Sequence, residues 1–233
     1  MKISDWSQLD EHIQDLQAEG LITATFQRLE ADRRNAVLDA VLAEAVERGP
    51  TTINIKHVAK KADVAIGSLY QYFGNRDNLV EFAVQLCIRY LVDEFKSFQP
   101  YLLKMPIRDG FAAYLTGGLE WSRMQVGLMQ FFLKAAYQGD PNMAEKLVRP
   151  LGTVMLDTVR QMLLAAQQRG EVRQDINLEV SARTINAMMI AVGDSLLLPY
   201  LNIYTQVFDS KVQVDQLTQA LVKNILDGIG PSS

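Results

Sequence analysis

The stretch Asn54-Ile55-Lys56-His57-Val58-Ala59-Lys60-Lys61-Ala62-Asp63-Val64-Ala65-Ile66-Gly67-Ser68-Leu69-Tyr70-Gln71-Tyr72-Phe73 reads as two short helices around a tight turn. Asn54 is placed to cap a helix over Ile55 to Ala62, with Val58 and Ala59 turned inward. Asp63-Val64-Ala65 makes the turn, because Asp tolerates a left-handed backbone. Ile66 to Phe73 is a second helix of two turns, broken by Gly74-Asn75. Two short helices at a fixed angle become a helix-turn-helix reading unit when a third helix buttresses them. That buttress is predicted from about Asp32 to Arg48, where Val37, Leu38, Val41, Leu42 and Ala45 share one face and Gly49-Pro50 ends the run.

Outward from this centre, helical spacing persists. Towards the N-terminus, Trp6, Leu9, Ile13 and Leu16 share a face of an acidic helix with Ser4 as N-cap and Gly20 as stop. Towards the C-terminus, Arg76-Asp77 opens a long helix to about Phe98, and Pro100 and Pro106 punctuate the chain. Further helices are predicted near Arg108–Ser122, Met124–Gln138, Ala144–Arg169, Leu178–Pro199 and Val212–Asp227. The expected fold is all-α, with a helix-turn-helix domain over 26–75 and a larger helical domain over 76–233. An acidic helical extension precedes them over 1–25.

Charge is divided unevenly along the 233 residues. The chain is −4 overall, yet the window from Arg33 to Arg76 holds seven basic and four acidic residues, so the remainder is −7. A small basic module on an acidic body suits nucleic acid on one side. The single cysteine, Cys87, makes no internal disulfide and points to a reducing, cytoplasmic setting. No basic-then-apolar leader opens the chain, and its most apolar stretch, Ile185 to Leu201, is broken by Asn186, Asp194 and Pro199. No membrane span is expected. Catalysis is also unexpected: His12 and His57 are far apart, Asp93 and Glu94 are adjacent and so diverge on a helix, and no metal-ligand, nucleophile-elbow or phosphate-loop motif occurs. No catalytic residue, cofactor or metal is therefore assigned.

Gly67 removes a side chain where the backbone can approach DNA, while Ser68, Tyr70, Gln71 and Tyr72 carry polar groups that phosphate oxygens would satisfy. At this point the sequence resembles the TetR family of transcriptional regulators. Arg33-Arg34-Asn35-Ala36-Val37-Leu38-Asp39-Ala40 is similar to the family's first helix, and Val58 to Ala65 to its Ile-Ala-x-x-Ala-Gly-Val-Ser segment. Gly67-Ser68-Leu69-Tyr70-Gln71-Tyr72-Phe73 resembles Gly-Thr-Leu-Tyr-x-Tyr-Phe, and Arg76-Asp77-Asn78-Leu79 resembles Lys-Glu-x-Leu. Three positions depart: Asp63 for the turn glycine, Ala65 for a capping serine, and Glu44-Ala45 where a Leu-Phe pair is common. The resemblance implies that Ile66, Gly67 and Tyr70 approach base edges, and that Asn54, Lys56, Ser68, Gln71, Tyr72 and Arg76 hold phosphates. It also implies a homodimer joined through the helices at Ala144–Arg169 and Leu178–Pro199.

For the larger domain, Phe111, Tyr114, Trp121, Met124, Phe132, Tyr137 and Met155 are the candidate lining of an apolar effector pocket, with Glu120, Arg123 and Asn186 as polar anchors. This set favours a hydrophobic or cationic aromatic ligand over a sugar phosphate. Gly117-Gly118 within a helical run is explained by close packing, a kink or room for a ligand. Met188, Met189, Ile190, Val192 and Leu196, with Val154, Leu156, Val159 and Leu163, form two apolar stripes for a subunit seam. The implied function is a ligand-responsive regulator, most simply a repressor released from a palindromic operator by a small, largely apolar effector. An activator, or a helical protein-binding module that has lost DNA binding, are the alternatives.

Overall fold

The computed structural model describes residues 9–49, 52–209 and 211–231, and every regular element among them is helical. In chain order these are α1 Asp10–Ala18, α2 Ala24–Gln27, α3 Ala31–Arg48, α4 Ile55–Lys61, α5 Ile66–Phe73, α6 Arg76–Lys104, α7 Ile107–Met124 and α8 Val126–Gln138. Then follow α9 Pro141–Met143, a π-helical turn Ala144–Val148, α10 Arg149–Gln168, α11 Leu178–Leu197, α12 Pro199–Thr205 and α13 Val214–Ile229. Ser4, Trp6 and Pro50 of the expected helix ends lie outside the described residues. Among the described residues no helix is long and apolar enough to cross a membrane, and no three His, Cys, Asp or Glu side chains gather to hold a metal ion.

The chain forms two compact units, one up to Asp93 together with Gln125–Leu151, the other Glu94–Met124 together with Gly152–Ser233. This differs from boundaries at 25/26 and 75/76, and burial explains why. Leu79, Phe82, Ala83 and Leu86 from the first half of α6 are fully buried with the helix-turn-helix, as are Leu9, Ile13 and Leu16 of the acidic extension. Helix α1 is also held by charge, through Arg34 to Asp10 at 2.8 Å and Arg89 to Glu19 at 2.6 Å. Helix α8 returns to the same unit: it packs on α3, and Lys134 Nζ donates to the carbonyls of Val46 and Glu47 at 2.8 and 3.3 Å. A cation on the last carbonyls of a helix satisfies groups that have no partner within it. Cys87 is buried in this unit, and burial pushes its thiol pKa far up.

One expectation, the end of α6, is corrected, and α3 carries an unusual buried charge. Pro100 does not end α6, which runs on to Lys104. The carbonyl freed by the missing N–H belongs to Lys96, an exposed residue, so water can satisfy it. Glu44, offered to the core in place of an apolar residue, is fully buried there. Lys61 Nζ donates to its Oε2 at 3.2 Å. Arg48 Nε stands 2.8 Å from Oε1 as an ion-pair neighbour and His57 Nδ1 stands 3.3 Å from it, both without hydrogen-bond alignment. The carboxylate thus ties α3 to α4 by charge where apolar contact would ordinarily do it.

The second unit is built on Leu102, Ile107, Phe111, Val159, Met162, Leu163, Ala182, Ile185, Met189, Val222 and Ile225, drawn from α6, α7, α10, α11 and α13. Gly110 is where α7 meets α10 closely, since a Cβ there would lie 2.9 Å from Met162 Cε. A smaller cluster joins Leu115, Leu119 and Val192.

Removing the Glu44 carboxylate should separate the two ways of joining α3 to α4. Glu44→Ala leaves Arg48, Lys61 and the His57 ring around a void and should lower stability by about 1–3 kcal/mol; their partial exposure limits the loss. Glu44→Leu should lose less than Glu44→Ala, because its side chain fills the void while the partly exposed Arg48 and Lys61 turn to water. Urea denaturation of both variants is the measurement, and equal losses would mean that charge does the joining.

Candidate functional site

The geometry of the reading unit begins with its caps. Asn54 Oδ1 accepts from the Lys56 N–H at 3.0 Å, so α4 starts where a capping residue stands. Asp63 takes φ +52°, the left-handed conformation that the turn demands, and Val64 N–H closes the turn on the Ala59 carbonyl at 3.0 Å. Helix α5 then starts at Ile66 with Ala65 at its N-cap, which offers no side-chain bond. Gly74, at φ +75°, ends it, and Asn75 Oδ1 caps α6 through the Asn78 N–H at 2.8 Å.

Helix α5 is divided sharply between two faces. Leu69, Tyr72 and Phe73 are buried. The Phe26 ring lies 5.3 Å from Phe73 and 5.7 Å from Tyr72, and Phe82 lies 5.3 Å from Phe73. From α2, Thr23 donates its N–H to the Tyr72 carbonyl at 2.9 Å and its hydroxyl to the Gln71 carbonyl at 2.7 Å. On the other face Ile66 and Tyr70 are 40% and 46% exposed, beside exposed Gly67 and Gln71 and half-buried Ser68. Among the described residues no packing neighbour lies within 4 Å of a Cβ built on Gly67, so none of them requires this glycine. Lys56 and Lys60 are exposed and near in sequence to this face, without an ion-pair partner among the described residues.

Two candidate residues are placed differently from the rest. Tyr72 is a core aromatic, 4% exposed. Residues two apart on a helix lie about 200° apart, so Tyr70 and Tyr72 cannot both face outward. Arg76 is half exposed but donates Nε to the Ile53 carbonyl at 3.1 Å, fastening the start of α6 to the segment before α4.

The second unit contains a cavity of about 230 Å³. From α6 come Glu94, Phe95, Phe98, Tyr101 and Leu102, and Met105 follows directly after it. Helix α7 adds Ala113, Tyr114, Gly117, Gly118 and Trp121, and α10 adds Thr158. Trp121 Nε1–H donates to Glu94 Oε2 at 3.1 Å, and its ring meets Phe95 edge-on at 6.4 Å. The Tyr114 hydroxyl is buried with no hydrogen-bond partner, and burial drives its pKa upward. Gly117 and Gly118 leave room: a Cβ on either would meet nothing within 4 Å, so close packing does not explain them.

Of the expected lining, Tyr114 and Trp121 are in this wall. Phe111 is fully buried in the core cluster instead, Met155 is half-buried elsewhere on α10, and Met124 at the end of α7 is 74% exposed. Phe132 and Tyr137 stand on α8 in the other unit, the first buried and the second exposed. Glu120 and Arg123 are exposed, and Asn186 is buried outside the wall with its Oδ1 unpartnered. The α6 residues were missed because Glu94, Phe98 and Tyr101 lie beyond the motif, although their i, i+4, i+7 spacing marks one helix face.

Comparison with known proteins follows the same division. Residues 37–83, from the middle of α3 into α6, match the model of bacterial regulatory proteins of the tetR family. The HTH-type transcriptional repressor KstR of Rhodococcus jostii is 32% identical over 118 residues, covering 51% of this chain and 47% of the repressor. The chain thus spans about half the length of the curated relatives it matches first. A TetR-family regulator from Chloroflexus aurantiacus superimposes with a TM-score of 0.60 at 18% identity, over 91% of this chain and 99% of that one. FadR of Bacillus subtilis, solved in complex with stearoyl-CoA, does so with a TM-score of 0.55 at 18% identity, over 83% and 98%. A helix-turn-helix with an outward α5 face, the family pattern laid over it and the shared all-helical fold lead to one conclusion: residues 37–83 form a helix-turn-helix segment of the tetR-family type, in a chain with the fold of solved TetR-family regulators.

Proposed function

We propose that this chain is a ligand-responsive DNA-binding repressor that acts as a homodimer on a palindromic operator. The observation that carries the reading is the outward face of α5, where Ile66, Gly67, Tyr70 and Gln71 stand free while Leu69, Tyr72 and Phe73 anchor the helix. Ile66 has no hydrogen-bonding side chain, so its contact with a base edge is apolar, such as a thymine methyl. Lys56, Ser68 and Gln71 supply groups for phosphate oxygens, with Asn54 and Arg76 positioning the backbone around them. Kinship with a named transcriptional repressor supports repression over activation. The cavity around Tyr114 and Trp121 is the effector site of this reading, and its largely apolar wall calls for a small, largely apolar effector. An effector that prefers the conformation unable to bind DNA must weaken the operator complex, and the operator must weaken effector binding equally.

For the homodimer, the outward faces of α10 and α11 are the proposed seam. Val180 and Met188 on α11 and Leu164 on α10 are 57%, 37% and 41% exposed. Met189, Val192, Val159 and Leu163 are withdrawn from it, because they are buried within one chain.

The DNA reading is tested by salt titration on a duplex selected from a random pool and on its scrambled counterpart. Lys56→Ala should weaken both by similar factors and reduce the log–log salt slope by about one. Ile66→Ala should lose about 1–3 kcal/mol on the selected duplex and almost nothing on the scrambled one. Binding to neither duplex would favour a protein-binding module instead. Sedimentation addresses the seam: wild type should be a dimer at micromolar concentration, and Met188→Arg a monomer of unchanged helical content. Val192→Arg should instead cost about 3 kcal/mol or more of stability, since the charge would enter the cluster with Leu115 and Leu119.

A further inference from the structure

The cavity has an electrostatic character that its apolar wall conceals. Among the described residues Glu94 brings the single carboxylate, and no lysine, arginine or histidine lines the space. One of its oxygens accepts from Trp121 Nε1, yet no basic side chain among the described residues stands within ion-pair distance of it. Five aromatic side chains complete the wall: Phe95, Phe98, Tyr101, Tyr114 and Trp121. Aromatic faces carry negative quadrupole charge, so rings and carboxylate attract in the same sense. Thr158 is already engaged with the Val154 carbonyl, whereas the buried Tyr114 hydroxyl has an oxygen free to accept.

Resting on the reading of this cavity as the effector site, we infer that the effector is a lipophilic organic cation, an amine or ammonium on an apolar body. The positive head supplies the counter-charge that Glu94 lacks, and the aromatic faces surround it. Where the head carries an N–H, the Tyr114 oxygen accepts from it. A carboxylate or phosphate head finds the opposite, since the wall offers it no cation and Glu94 repels it. Free fatty acids and their CoA thioesters are therefore poor ligands here. Gly117 and Gly118 keep the space open for the apolar body.

Three eight-carbon probes that differ in the head separate charge from chain: octyltrimethylammonium, octan-1-ol and octanoate. Calorimetric titration of the full-length chain should give the ammonium about tenfold or more over the alcohol, with octanoate weakest. Glu94→Gln keeps an oxygen for Trp121 and should bring the ammonium down to within about threefold of the alcohol. Gly117→Leu fills the space and should weaken all three. If ammonium and alcohol bind alike, if the preference survives Glu94→Gln, or if no probe binds, the charge assignment is wrong. If probes bind and Gly117→Leu leaves every affinity unchanged, they bind elsewhere, and the effector-site reading falls with the inference.

Discussion

An eight-residue helix cannot stand alone in water, because two turns do not repay the nucleation of the first. Helix α5 exists only through what holds its inner side, and that requirement shapes the unit around it. Phe26 and Phe82 supply rings to receive Tyr72 and Phe73, and Thr23 receives the end of the helix at its last carbonyls. The four-residue helix α2 and the opening turns of α6 thus serve one purpose, which is to orient α5. Because the anchors occupy one side, Ile66, Gly67, Tyr70 and Gln71 are left on the other. Surface chemistry here follows from interior packing.

The buttress α3 works through charge as well as packing. Its Glu44 faces Arg48 of α3 and Lys61 and His57 of α4, and its last carbonyls receive the ammonium of Lys134 from α8. Both contacts sit in the last two turns of the helix, next to the chain that leads into α4. The position of α4 therefore depends on ionic groups that remain partly in contact with water, unlike the dry contacts of α5.

Much of the reading unit was legible because its signals are local. The Asn54 cap, the Asp63 turn and the Gly74 stop each follow from the chemistry of one residue, and each stands in the structure where it was expected. Tyr72 packs into the core by its ring, and its separation of about 200° from Tyr70 is why the two do not share a face. Glu44 was harder, since its partners come from another helix and no spacing rule pairs them. The cavity was least legible. Helical aromatics and methionines look alike whether they fill a core, as Phe111 does, or line a space, as Trp121 does. Only the neighbouring elements decide, and sequence does not reveal them. The same holds for Val192, whose apolar stripe proved to face its own chain.

Cys87 carries a consequence of a different kind. Its thiol lies within the first unit, enclosed and shifted far from the thiolate form that oxidants and alkylating agents attack. In the native state the residue is chemically silent, so thiol reagents and disulfide exchange have no handle on it. The silence also makes it a gauge. Any event that exposes the middle of α6 uncovers a lone reactive sulfur, and the rate at which a maleimide captures it measures how often the unit opens.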